Sequence, residues 1–274
     1  MSEQRVLIED DFDLDKILDS GQCFRPVRLE NGWYRFLSGG HRLEICPAGN
    51  SSFRIFCPEG EWEGYWRNYF DLDRNYAVLR TTLKGQSCFL DEALEYGRGI
   101  RVLRQEPWEM LVTFLISQRK SIPAIRTAVN LLAERYGSPT ERNGETAFFF
   151  PTPEQLAAAG EEGLAACGLG YRTRYVKQAA ELAAAGILNL EALRVLPDEE
   201  LYQRLLKLDG VGKKVANCVC LFGYARTARV PVDVWIARLI EEEFGGKDPF
   251  PQYGPDAGIV QQYLFYYKRA VSRR

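Results

Sequence analysis

Between residues 23 and 57 apolar and polar side chains alternate with a period of two, the pattern of half-buried strands. It predicts four short strands, over 24–29, 33–37, 41–46 and 53–57. Asn31-Gly32 stands between the first two and is a two-residue hairpin signal, because both residues tolerate the positive φ that such a turn requires. Ser38-Gly39-Gly40 and Pro47-Ala48-Gly49-Asn50 separate the remaining pairs, so an antiparallel meander with one covered face is expected. The aromatic group that follows, Trp62, Tyr65, Trp66, Tyr69 and Phe70, is read as packing.

After Gly97 the period lengthens to that of a helix. Trp108, Leu111, Val112 and Leu115 recur at i, i+3, i+4 and i+7. Ser121-Ile122-Pro123 opens a second helix with Ile125, Val129 and Leu132 along one side and Gly137 as its C-cap. Alanine-rich segments near 155–167 and 178–185 flank the turn Cys167-Gly168-Leu169-Gly170-Tyr171-Arg172. Pro197-Asp198-Glu199-Glu200 starts a helix over 198–207, a second begins at about Lys213, and a third starts after Asp233. A last helix, behind Gly254-Pro255-Asp256, holds Gln261, Leu264 and Phe265. The fold class expected is α+β: an antiparallel sheet domain over 1–100, then a mostly helical domain over 101–274 with its helical hairpin at about 198–223.

With 274 residues, 46% of them apolar, the chain can bury a core in each of two domains. A net charge of −2 excludes a protein that coats nucleic acid indiscriminately, though not one with a local basic face. Cations cluster at Arg119-Lys120, at Arg172, Arg174 and Lys177, at Lys213-Lys214, and in the tail Lys268, Arg269, Arg273, Arg274. The cysteines Cys23, Cys46, Cys57, Cys88, Cys167, Cys218 and Cys220 are scattered and odd in number, as reduced thiols are. His41 is the only histidine, which argues against Ser-His-Asp chemistry and histidine-built zinc sites. No apolar stretch reaches membrane-spanning length, and Ser2, Glu3, Gln4 and Arg5 lack the order of a signal peptide. A cytoplasmic monomer is expected, nucleoid-associated if the source is bacterial.

The richest chemistry lies between Leu208 and Asp233. Gly210-Val211-Gly212 exposes backbone N–H groups where a helix begins, a site suited to phosphate. Lys214 stands in the first turn of that helix, and Val230-Pro231-Val232-Asp233 places a carboxylate 19 residues further on. Taken singly these features are ordinary: a tight connection, a solvated lysine and an N-cap. Together they resemble the helix-hairpin-helix, Gly/Pro-Asp superfamily of base-excision DNA glycosylases. Three further segments resemble its 8-oxoguanine branch: Asp19-Ser20-Gly21-Gln22-Cys23-Phe24-Arg25, Gly168-Leu169-Gly170-Tyr171-Arg172, and Ala257-Gly258 with Gln261 and Phe265. The likeness extends through 65–71 and 101–107 to nearly the whole chain.

That resemblance implies a bifunctional glycosylase and abasic-site lyase acting on double-stranded DNA that contains an oxidised purine. Lys214 would be the nucleophile, selected over Lys213 by the Gly-x-Gly-x-Lys pattern, and Asp233 would stabilise cationic character on the sugar. Gly21 would offer its carbonyl to the damaged base, Gln261 would read the base edge, and Phe265 and Cys218 would sandwich the ring. Gly210, Val211, Gly212 and Lys213 would meet phosphate, Tyr171 would fill the gap left by the extruded base, and Arg172 would approach the unpaired partner. Where eukaryotic members carry an asparagine run and an arginine, this chain reads Ser117-Gln118-Arg119-Lys120-Ser121-Ile122-Pro123-Ala124, so the resemblance implies that Arg119 would take over part of the contact with the orphan base. Trp235 stands in place of a phosphate-binding histidine. No cofactor is implied: no four-cysteine cluster follows Asp233 to hold an iron–sulfur centre, while the hairpin carbonyls offer a place for a structural metal ion, as in relatives. The rivals are an alkyl-base glycosylase of the same fold, which lacks the lysine, and a non-enzymatic DNA-binding module.

Overall fold

The computed structural model describes residues 3–272, so Arg273 and Arg274 of the expected basic tail lie outside the described residues. The chain divides into two compact units, and neither is continuous in sequence. One holds the chain up to Arg35, Leu43–Arg104, and everything from Ala225 onward; the other holds Phe36–Arg42 and Gln105–Tyr224. This partition differs from a single cut at residue 100, because the C-terminal helices fold with the N-terminal third.

Five strands form one sheet in the order β1-β5-β4-β3-β2: β1 (Gln4–Leu7), β2 (Val27–Arg28), β3 (Tyr34–Ser38), β4 (His41–Pro47) and β5 (Ser52–Phe56). β1 pairs antiparallel with β5, β2 with β3 and β4 with β5. The Asn31-Gly32 turn forms as expected, with Gly32 at φ 81° and its N–H on the Leu29 carbonyl at 3.0 Å. The strand expected over 24–29 shrinks to two residues, since Pro26 has no N–H to give a ladder. β1 escaped the period-two reading because its outward positions are not polar in turn: Leu7 is 64% exposed.

In the same unit follow α1 (Leu14–Asp19), α2 (Arg67–Tyr69), α3 (Tyr76–Leu83) and α4 (Cys88–Tyr96). Trp62, Trp66, Tyr69 and Phe70 are buried against one another, as their packing role requires. Arg101 is wholly buried beneath them. Its guanidinium donates to the carbonyls of Phe70 (3.0 Å), Asp11 (3.0 Å), Asp71 (2.6 Å) and Arg74 (2.6 Å), and to the Asp10 carboxylate (3.0 Å). A cation this deep is tolerable only because each donor direction is filled.

The second unit opens with α5 (Pro107–Ser117), buried at every position from Glu109 to Ser117. The four-residue stripe read from the sequence was too narrow, because Met110, Phe114 and Ile116 are apolar as well and the helix is covered all round. α6 (Ile122–Tyr136) begins and ends where its caps foretold, with the Ser121 hydroxyl accepting from the Ala124 N–H at 3.4 Å and Gly137 at its end. A hairpin not foreseen, β6 (Pro139–Arg142) and β7 (Glu145–Phe148), turns on Asn143 (φ 51°) and Gly144 (φ 77°). Then come α7 (Pro153–Ala158), α8 (Glu161–Leu164), α9 (Thr173–Ala184), α10 (Asp198–Leu206) and α11 (Lys213–Tyr224). α11 approaches α5 closely at Gly223, where an added Cβ would lie 3.1 Å from Pro107 Cα. The first unit resumes with α12 (Val234–Phe244) and α13 (Ala257–Val271). Among the described residues no helix is long and apolar enough to cross a membrane.

The Asp10 carboxylate caps α3 by accepting the Tyr76 (2.6 Å) and Ala77 (2.9 Å) N–H groups. Burial pushes its pKa up, but the backbone N–H groups of Tyr76, Asp11 and Ala77 and the Arg101 guanidinium outweigh that and hold it below the ordinary 3.8. A depressed folded-state pKa gives stability that is complete above the unfolded value and lost as pH falls through the folded one. Asp10→Asn should therefore cost about 1.5–3 kcal/mol at pH 7, the range for hydrogen bonds to a charged group. The gap from wild type should narrow as urea titrations are carried below pH 3.8. A gap that stays constant with pH would exclude this role for the charge.

Candidate active site

The residues singled out in the sequence divide between the two compact units. In the second unit, α10 and α11 enclose the turn Gly210-Val211-Gly212. Gly210 adopts φ 80°, and a Cβ there would stand 2.5 Å from the Tyr175 ring, so both the backbone and the neighbouring aromatic require glycine. Val211 is buried and its N–H donates to the Leu208 carbonyl at 3.0 Å, whereas Gly212 and Lys213 are exposed. The exposed start of a 12-residue helix, next to a lysine, is chemically fit for a phosphate. The hairpin's Leu208 and Gly210 carbonyls already accept protein donors, and among the described residues no three His, Cys, Asp or Glu side chains are grouped to hold a metal ion.

Lys214 is not a solvated helix lysine. Its Nζ lies 3.3 Å from the Ser117 hydroxyl and 4.9 Å from the centre of the Phe114 ring. Ser117 is buried and spends its own proton on the Phe114 carbonyl at 2.8 Å, which leaves its oxygen to accept from the lysine. Cys218 is buried one helical turn beyond Lys214.

The turn at 168–172 bends through Gly168 (φ 77°) and Gly170 (φ 59°) and leaves the Tyr171 side chain 52% exposed. An aromatic ring held out at a glycine-bent turn is free to enter a base stack. Arg172 behaves differently from expectation. It is buried, with its guanidinium over the Tyr171 ring at 4.3 Å and donating to the carbonyls of Leu169 (3.2 Å) and Gln118. It braces the turn here rather than reaching outward. Arg119 is the exposed cation of this region, on a residue at φ 51°. Lys120 donates to the Gly168 carbonyl at 2.6 Å, and burial together with the Arg172 charge lowers its pKa.

In the first unit, Asp233 is the N-cap of α12. Its Oδ1 accepts the N–H groups of both Trp235 and Ile236 at 3.0 Å, which leaves Oδ2 for a second contact. Gly21, at φ 82°, is pinned from both sides. The buried Gln22 amide bridges the Arg101 carbonyl (2.8 Å), the Leu103 N–H (2.7 Å) and the Ser20 hydroxyl (2.9 Å), and Gln262 donates to the Ser20 carbonyl at 2.7 Å. Gln261 is 3% exposed and its Oε1 has no hydrogen-bond partner. A buried acceptor without a donor costs about 1–3 kcal/mol, so it marks a place where a ligand would be welcome. Phe265 is half-buried, with the Arg269 guanidinium 5.1 Å from its ring centre. The supporting residues Ser117, Gln118, Gln22 and Gln262 were given no role from the sequence, since nothing local marks a polar residue as the partner of a distant loop.

Comparisons with known proteins agree across the chain. A family model for the N-terminal domain of 8-oxoguanine DNA glycosylases matches residues 5–111. One for the helix-hairpin-helix Gly/Pro-Asp superfamily of base excision DNA repair proteins matches 112–253, just over half of the chain. A probable N-glycosylase/DNA lyase of Methanothermobacter thermautotrophicus is 28% identical, over 94% of either sequence. The solved structure of MBOgg1 with a low-affinity DNA ligand superposes with a TM-score of 0.93 at 34% identity, covering 99% of this chain and 97% of that one. The Clostridium acetobutylicum 8-oxoguanine glycosylase/lyase, solved with double-stranded DNA containing cytosine opposite 8-oxoguanine, gives 0.88 at 32% identity over 99% of each.

The two glycines of the hairpin should respond oppositely to a methyl group. Gly210→Ala forces a left-handed alanine, about 1–2 kcal/mol, and overpacks the Tyr175 ring by about 1–3 kcal/mol more. Gly212→Ala meets nothing within 4 Å and should stay within about 0.5 kcal/mol of wild type. Urea denaturation of the two variants checks this, and equal costs would contradict it.

Proposed function

The chain belongs to the helix-hairpin-helix Gly/Pro-Asp superfamily of base-excision DNA repair proteins and carries the N-terminal domain of 8-oxoguanine DNA glycosylases; from that membership we propose that it excises 8-oxoguanine from duplex DNA and then cleaves the strand at the abasic sugar. The observation that carries the reading is Lys214, a lysine drawn in from solvent to a buried hydroxyl in the first turn behind the phosphate-suited hairpin.

The chemistry follows from the groups available. The lone pair of the Lys214 amine attacks C1′ of an extruded nucleotide as the N-glycosidic bond breaks, and the base leaves with the bonding electrons. Loss of the amine proton and opening of the sugar ring give a Schiff base between Nζ and C1′. The imine acidifies C2′, whose proton is then lost as the 3′ phosphate departs by β-elimination. The sugar passes through an oxocarbenium-like state, and a carboxylate at its face lowers the energy of that positive charge. Asp233 takes this part with Oδ2, while Oδ1 holds the helix start. The amine and the carboxylate supply nucleophile and charge, so the reaction needs no cofactor.

Selectivity rests on the proton at N7. 8-Oxoguanine donates there, whereas guanine presents a lone pair, which would face the Gly21 carbonyl and cost about 1–3 kcal/mol. Gln261 Oε1, a buried acceptor without a partner, suits the N1–H or amino donors of the purine edge. Phe265 and Cys218 cover the ring, Tyr171 takes the vacated place in the stack, and Arg119 meets the orphan base. The protein acts as a monomer in the compartment that holds the DNA.

Borohydride reduction in the presence of duplex 8-oxoguanine DNA should trap a covalent adduct, and Lys214→Gln should abolish it while retaining lesion binding. Undiminished trapping in that variant would move the nucleophile elsewhere. Asp233→Asn offers a cleaner separation. Asparagine caps a helix as well as aspartate does, so stability should shift by only about 0.5 kcal/mol. Single-turnover excision should fall by roughly 100-fold or more, the scale of losing one electrostatic stabiliser. An unchanged excision rate would leave Asp233 as a cap and nothing else.

A further inference from the structure

The segment Ser117–Lys120 is where this chain departs from the eukaryotic pattern, and it is the hub of the second unit. Its four residues close a tight turn, with the Lys120 N–H on the Ser117 carbonyl at 3.2 Å and Arg119 in the left-handed region at φ 51°. Three of them reach three different places. Ser117 accepts from Lys214 at 3.3 Å, and Lys120 donates to the Gly168 carbonyl at 2.6 Å. Gln118 joins two loops at once: its Nε2 donates to the Gly210 carbonyl at 3.1 Å, and its own carbonyl accepts from the Arg172 guanidinium. A third strut runs alongside, since the Tyr175 ring lies against Gly210 and in edge contact with Tyr171 at 6.3 Å.

We propose that Gln118 is a positioning residue which fixes the distance between the hairpin at Gly210 and the exposed ring of Tyr171, so that gripping the backbone and displacing a base act as one rigid movement. The proposal rests on the glycosylase reading above. Extruding a base means breaking its stacking and pairing, work that must be done by one part of the protein pressing while another holds. If the holding and pressing loops were joined only by flexible chain, insertion of the ring would push the loops apart instead of the base out. The hairpin and the 168–172 turn are far apart in sequence and share no sheet or helix ladder. Tyr175 bridges the two by ring contact alone, and Gln118 supplies the hydrogen-bonded cross-link, with one bond to each loop.

The test compares two substrates in single-turnover assays: duplex 8-oxoguanine, whose base must be extruded, and a preformed abasic site, which uses the same lysine and has no base to extrude. Gln118→Ala keeps the backbone carbonyl for Arg172 but removes the tie to Gly210. Its loss on the 8-oxoguanine duplex should exceed its loss on the abasic duplex by about five- to tenfold, the scale of one hydrogen bond. Gln118→Glu keeps the length but sets an acceptor against the Gly210 carbonyl, and should show at least the same ratio. In a Tyr171→Ala background the Gln118 substitution should cost less than about twofold further, because the linkage has lost its far end. Equal losses on the two substrates, in variants whose melting matches wild type, or multiplicative losses in the double variant, would overturn the coupling. Failure of the unaltered enzyme to excise 8-oxoguanine or to be trapped on it would instead overturn the functional reading.

Discussion

A peptide carbonyl buried outside a helix or sheet must find a donor, and in this protein the irregular segments that carry chemistry find theirs in long side chains. Gln262 clamps the Ser20 carbonyl just before Gly21, and the Gln22 side chain ties the Arg101 and Leu103 peptides to the same segment. Gln118, Lys120 and Arg172 do the same for the hairpin and the 168–172 turn, and Arg101 for the segment between Phe70 and Arg74. Loops can offer groups to a substrate at awkward angles that ladders cannot, but they are precise only if fixed from outside. Gln22, Gln118, Arg101 and Arg172 each donate more than one hydrogen bond, so one residue rigidifies two or more places at once. This is why the reacting groups sit on left-handed glycines and helix starts while amides and guanidinia stand behind them.

The same constraint explains what the sequence disclosed and what it hid. Features encoded in neighbouring residues were readable: the Asn31-Gly32 turn, the Ser121 and Asp233 caps, and the glycine-bent connection before Lys213. Asn143-Gly144 carried the same hairpin signal as Asn31-Gly32 and could have been found; the short flanking strands, Pro-Thr-Glu-Arg and Glu-Thr-Ala-Phe, lack the alternation that drew attention to the first. The clamps could not have been found. Gln118 and Gly210 are 92 positions apart, and Gln262 and Ser20 are 242. Arg172 reads as a free cation beside an exposed tyrosine, and only the fold shows its guanidinium turned inward to Gln118.

The everyday reading of Asp233 is compatible with the chemical one, for a physical reason. Asp233 is a helix N-cap, and that is no argument against its acting on a substrate, because capping occupies only one carboxylate oxygen and fixes the direction of the other. Lys214 is a residue of an ordinary amphipathic helix, yet its position in the first turn lets its side chain run back toward Ser117 rather than out to water. A cap and a first-turn lysine are cheap ways for a helical fold to aim two charges, since the helix start itself fixes both backbones.

Charge distribution decides how such a protein must recognise its target. Many carboxylates of the first unit are consumed internally: Asp10, Asp11 and Asp71 pair with Arg101, Arg80, Arg98, Arg74 and Arg104. In the second unit Lys213 and Arg119 are exposed, although the chain as a whole is at −2. A few phosphate contacts of this kind give modest, salt-sensitive affinity for any duplex. That is too little to hold the protein at one place along undamaged DNA, and it leaves the protein free to move on. On the proposed reading, retention would come from contacts made only when a base has left the stack, and Gln261 Oε1, a buried acceptor without a partner, would take part in the discrimination.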